Sequence, residues 1–152
     1  MPARDDRGRF VASERPSAAL IALVQRYLDL VADPTSDLAA IEAVLDPEFR
    51  FIEHSNLMSP AGSERDRTMV LDSIPQGRML LSSQRFEVHD HAVVGDARVI
   101  TRAFWEGRLA MGAGLLGIGS SLRADLAMFF DVRDGRIVRQ ENFDCYQPPQ
   151  LG

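Results

Sequence analysis

From Leu20 to Val31, apolar residues recur at steps of three and four. Leu20, Leu23, Val24, Tyr27, Leu28 and Val31 therefore share one helical face. Ser17 after Pro16 offers an N-cap, and Asp33-Pro34 stops the helix, because the residue before a proline is pushed out of the helical region. A second helix is predicted from about Ser36 to Leu45. Leu38, Ile41, Val44 and Leu45 face inward, Asp37 lies near the positive N-terminus, and Asp46-Pro47 ends the run. Glu48 to His54 reads as a short strand, rich in aromatic and β-branched residues. Asn56 to Gly62 reads as a loop. A third helix is predicted from Ser63, with Asp66 completing a weak capping box, and Ile74-Pro75 and Gly77 ending it.

The period then changes to two. Gln84, Phe86 and Val88 alternate with Arg85, Glu87 and His89, and Gly95-Asp96 makes a turn. Residues 97–110 and 120–132 read as long strands. Asp134-Gly135 is a strong hairpin signal, because both residues tolerate the positive φ of a tight turn. Ile137 to Tyr146 is the last strand, closed by Pro148-Pro149. Three helices followed by a meander of strands predict an α+β fold with a curved antiparallel sheet closed by the helices. Residues 1–15 are charged, bury little and read as a mobile tail. Residues 16–149 read as one domain, with no repeat or linker.

Composition narrows the function classes. The chain has 152 residues, 45% of them hydrophobic and 26% charged, as in an ordinary water-soluble globule. A formal net charge of -5 speaks against a nucleic-acid backbone as partner, which needs a basic face. Cys145 is the only cysteine, so an internal disulfide is excluded; it reads as a small apolar filler. No stretch reaches the ~20 apolar residues that span a bilayer. The N-terminus has no apolar signal region, so the expected location is cytoplasmic, with no membrane partner.

Two motifs are set aside. Gly112 to Gly117 matches a dinucleotide fingerprint in letters, but a strand follows it where a helix is required. His89 and His91 would share one strand face, about 7 Å apart, with Arg85 and Glu87. That face reads as solvated, so no metal site and no cofactor is expected.

Four segments resemble the nuclear transport factor 2-like superfamily, and its SnoaL-like (polyketide cyclase-like) branch in particular. They are Phe49 to His54 after the helix pair, the loop Ser59-Pro60-Ala61-Gly62, the glycine-rich passage Gly107 to Leu122, and the end Asp134 to Tyr146. The resemblance implies a cone-shaped domain with an apolar pocket. It does not decide activity, because the superfamily includes isomerases, dehydratases, epoxide hydrolases, cyclases and non-catalytic members. Against the epoxide hydrolases, Asn56 and Arg102 match machinery positions, while Phe104 stands where an Asp is expected and His54 replaces a Tyr. The cyclases use an acid/base Asp on the last strand, the region of Asn142 and Asp144.

The candidate chemistry follows. Asn142 and Asp144 share one face of the last strand, Arg123 and Asp125 one face of its neighbour, and the four could meet across the ladder. One reading is an acid/base site at one end of an apolar pocket, with Asp125 or Asp144 as the titrating group. The other is a set of salt bridges on the outer face. His54, Asn56, Trp105, Arg102 and Tyr27 are candidates for contacting substrate. Trp105 lies beside the small Thr101 and Ala103, which could leave a cavity with a flat wall. The expected function is cofactor-free acid/base catalysis of cyclase, isomerase or hydrolase type on a small hydrophobic molecule. The alternative is a non-catalytic ligand-binding or dimerisation domain. Strand 97–110 carries apolar groups on both faces, which predicts a homodimer through the sheet.

Overall fold

The computed structural model describes residues 14–148. Pro149 and residues 1–13 of the expected tail lie outside them; α1 already begins at Glu14, so Ser17 lies within the helix and is not its N-cap. Two helices, α1 (Glu14–Ala32) and α2 (Leu38–Val44), lead into β1 (Leu45–Glu53) and β2 (Ser63–Asp66). Then come α3 (Arg67–Leu80), β3 (Leu81–Val94), β4 (Arg98–Leu109), β5 (Ser121–Arg133) and β6 (Arg136–Tyr146). The strands form one curved, unclosed sheet in the order β2-β1-β6-β5-β4-β3. All neighbours are antiparallel except β1 and β6, so the sheet is mixed. The α+β class and the helices over one sheet face are as the sequence predicts.

The core lies between the helices and the inner face of the sheet. Val24 and Leu28 of α1, Ile41 of α2, Phe49 of β1, Met128 and Phe130 of β5 and Ile137 of β6 are buried there. Period-two alternation is clear along β5, where Leu122, Ala124, Leu126, Met128 and Phe130 are all buried and point one way. The β5–β6 hairpin turns at Asp134 (φ 51°) and Gly135 (φ 74°), as its Asp-Gly pair predicts.

Four further local expectations are corrected. Ser63–Asp66 does not begin a helix. It pairs with β1, Glu53 opposite Ser63 and Arg50 opposite Asp66, and Asp66 caps α3 by accepting from the Met69 amide at 2.9 Å. Pro75 does not end α3, which continues to Leu80. Its last turn is pinned by Arg78, which donates to the Ser36 carbonyl at 2.9 Å and the Ser36 hydroxyl at 2.7 Å. His89 and His91 do not share a face. A register shift between Val88 and Asp90 turns His91 inward, opposite Thr101. There His91 bonds Thr101 Oγ1 at 2.8 Å and Gln25 Oε1 of α1 at 3.0 Å. Finally, Cys145 fills no core space, because it lies on the outer face and is exposed.

Candidate functional site

β6 carries a row of polar side chains where its neighbours carry apolar ones. Gln140, Asn142 and Asp144 point inward, and Gln140 and Asn142 are buried. A buried amide is costly unless bonded, and this row is satisfied as a chain. Tyr27 of α1 donates from its hydroxyl to Gln140 Oε1 at 2.9 Å. Gln140 Nε2 donates to Asn142 Oδ1 at 2.9 Å, and Asn142 Nδ2 donates to Asp144 Oδ1 at 3.3 Å. The chain runs from the helix layer to a carboxylate and fixes each amide's orientation on the way. Burial raises the Tyr27 phenol well above its ordinary pKa, keeping it a donor. Tyr27→Phe is expected to cost about 1–2 kcal/mol in denaturant unfolding by stranding Gln140 Oε1. A loss within error would mean that the chain is not a unit.

Asp144 is joined by a second carboxylate. The parallel register sets Glu53 beside Asn142, so Glu53 also points inward. Glu53 accepts from Asn56 Nδ2 at 2.9 Å and from the Ser63 hydroxyl at 3.3 Å, and pairs with Arg65 at 3.5 Å. Arg65 in turn lies over the Phe51 ring, 4.7 Å from its centroid. Gly62, with φ 67°, makes this close approach possible, since a Cβ there would come within 2.7 Å of the Glu53 carbonyl oxygen. The two acids differ in surroundings. Desolvation raises the pKa of Asp144 to about 6; the negative charge of Glu53 adds to the rise, and the Asn142 bond opposes it.

Two adjoining cavities lie beside the polar row and share Asn142. One of about 200 Å³ lies under the helices, among Tyr27, Phe51, Arg65, Ile74, Met128 and Asn142. The other, about 120 Å³, is lined by Phe86, Trp105, Leu126, Asn142, Asp144 and Tyr146. Phe86 and Asn142 belong to both. Gly107 leaves room for Trp105, whose indole a Cβ would meet at 2.5 Å, and Trp105 Nε1 donates to Gln84 Oε1 at 3.0 Å.

Of the residues singled out from sequence, Asn142, Asp144, Trp105 and Tyr27 converge here. Asn56 acts one step back, through Glu53. Arg123 and Asp125 do not join them. The β5–β6 register places Leu126, not Asp125, opposite Asp144, so Asp125 is exposed on the outer face. Arg123 pairs there with Glu106 at 2.7 Å. Arg102 is also outside, bonded to Asp90 at 2.6 Å. His54 follows Glu53 by one residue and so takes the outer face, where it bonds Glu141 at 2.9 Å and stacks on Phe143. Glu53, Arg65, Gln140 and Tyr146 are the site residues that sequence reasoning missed. Glu53 and Arg65 are placed by the β1–β2 and β1–β6 pairings, which leave no period in the sequence. The described residues contain no cluster of three or more potential metal ligands, and none of their helices is long and apolar enough to cross a membrane.

Residues 24–140 match the SnoaL-like domain family, and the chain belongs to it. Among curated proteins, none matches its sequence. Solved structures share the fold at low identity. IdmH of Streptomyces antibioticus, described as a proposed polyketide cyclase, is 21% identical with TM-score 0.64, over 86% of this chain and 91% of its own. A Mycobacterium tuberculosis LEH-like epoxide hydrolase is 16% identical with TM-score 0.63, over 84% and 83%. A Catenulispora acidiphila protein of ketosteroid isomerase-like fold, solved with trimethylamine, is 10% identical with TM-score 0.63, over 81% and 85%. At these identities the likeness carries the fold and not the chemistry.

Proposed function

We propose that this SnoaL-like protein is a cofactor-independent acid/base enzyme acting on a small hydrophobic substrate, with Asp144 as general base. The observation that carries this reading is the position of Asp144, on the wall of a cavity it shares with Phe86, Trp105, Leu126 and Tyr146, with its pKa raised to about 6. A base in that range is ionised at neutral pH yet strong enough to take a proton from carbon next to a carbonyl. Desolvation raises it most, and Glu53, anchored by Asn56, Ser63 and Arg65, adds its negative charge. Asn142 aims the carboxylate, and the Gln140–Tyr27 chain holds Asn142. Phe51, Ile74 and Met128 of the larger cavity offer apolar walls to the substrate body, and Trp105 and Phe86 stand beside the reacting end.

The test uses 2-tetralone as a minimal carbon acid in heavy water, with exchange at its activated carbon followed by proton NMR. Exchange above the buffer rate is expected. Its rate should fall as pH drops through about 6, since the base is then protonated. Exchange no faster than in buffer would leave ligand binding without chemistry as the better reading, and enhanced exchange that persists in Asp144→Asn would remove Asp144 as the base.

The homodimer expectation is carried as part of the same proposal. Outer-face Phe143 is 42% exposed and stands edge-on to Phe129, while Ile100 and Phe104 lie on the same face of β4. An exposed phenylalanine flanked by half-buried apolar side chains is the kind of surface that association covers. Sedimentation at micromolar concentration should give twice the chain mass; a monomer there contradicts it.

A further inference from the structure

The charges around the two carboxylates do not balance in the same way. Glu53 has a guanidinium partner in Arg65 and two neutral donors. Asp144 has one side-chain partner among the described residues, the neutral amide of Asn142. Its other neighbours around the smaller cavity are Phe86, Trp105, Leu126 and Tyr146. When ionised, this partly buried carboxylate has no counter-charge from a side chain bonded to it among the described residues. Aromatic rings around a small cavity attract cations through their π faces, most strongly when water is excluded. Trp105 and Tyr146 are held edge to face at 6.3 Å, and the bond to Gln84 fixes the indole further, so these walls are preorganised.

We propose that the cavity between Asp144 and the rings of Phe86, Trp105 and Tyr146 binds a small organic ammonium group, the ligand supplying the missing counter-charge. A volume of about 120 Å³ suits a compact head such as trimethylammonium. The adjoining cavity of about 200 Å³, reached past Phe86 and Asn142, takes an apolar body attached to it. The ligand class is thus an amphipathic amine, cationic at one end. The inference rests on these cavities being the ligand site, as proposed above, and not on Asp144 moving a proton.

The experiment compares choline with 3,3-dimethylbutan-1-ol, its neutral carbon isostere, titrated into the full-length protein by calorimetry or ligand-observed NMR. At about pH 8 choline should bind at least about tenfold more tightly than the isostere, the margin expected of a carboxylate plus an aromatic cage. The preference should collapse at about pH 5, where Asp144 is protonated. It should also collapse in Asp144→Asn, and Trp105→Leu should weaken choline more than the isostere. Equal binding of the two probes overturns the proposal in favour of a neutral apolar ligand. Binding of neither overturns it too, as does a choline preference that survives in Asp144→Asn. Choline binding without tetralone exchange upholds the cation site and removes only the proton-transfer reading.

Discussion

Asp144→Asn is expected to make the protein more stable at about pH 7.5 while abolishing proton exchange. The folded protein keeps a proton on Asp144 up to about pH 6, whereas an unfolded aspartate releases it near its ordinary value of about 3.9. The group's favourable contribution is therefore complete below the unfolded pKa and is lost as pH rises through about 6. Above that, the ionised side chain costs about 1–2 kcal/mol, after discounting linkage arithmetic for its partial contact with water. Asparagine keeps the shape and a hydrogen-bonding oxygen for Asn142 Nδ2 and carries no charge. Thermal unfolding of both proteins across pH reads the effect. The variant should unfold at higher temperature near pH 7.5, and the two should converge near pH 4. A variant less stable than the wild type at pH 7.5 would mean that Asp144 is a structural ion-pair member and not a strained functional group.

Phe130→Ala should lose about 3–5 kcal/mol, a large share of the about 5–15 kcal/mol that holds a typical domain together. Phe130 is 0% exposed and lies opposite Val99 on β4 and Gln140 on β6, at the centre of the inner face. Its ring also meets Tyr27 edge to face at 6.1 Å. The substitution thus opens a void where little can collapse and frees the first residue of the chain leading to Asp144. Urea unfolding measures the loss. A change under about 1 kcal/mol would contradict the placement of the core, since even a modest cavity from a buried ring costs more.

The sequence disclosed most where a period governs and least where register does. Helical spacing in α1 and alternation in β5 identify both elements and their buried faces, because burial dictates those positions. Alternation along the last strand puts Asn142 and Asp144 on one face, and that much is legible in the sequence. Their partners were not visible. Asp125 and Asp144 are separated by one step of strand register, which exchanges faces. The second carboxylate and the arginine are supplied instead by Glu53 and Arg65. Both arrive through β1, whose parallel partner is the last strand of the chain. His91 makes the same point on the opposite edge, since one extra residue at the bulge moves it from the solvent side to α1.

Titration of Asp144 tests most directly whether it is a desolvated carboxyl beside Glu53. Carbon NMR of the aspartate carboxyls, with Asp144 assigned by its absence in Asp144→Asn, should show one group titrating near pH 6. A midpoint near 4 for Asp144, like that of a solvated aspartate, would contradict it.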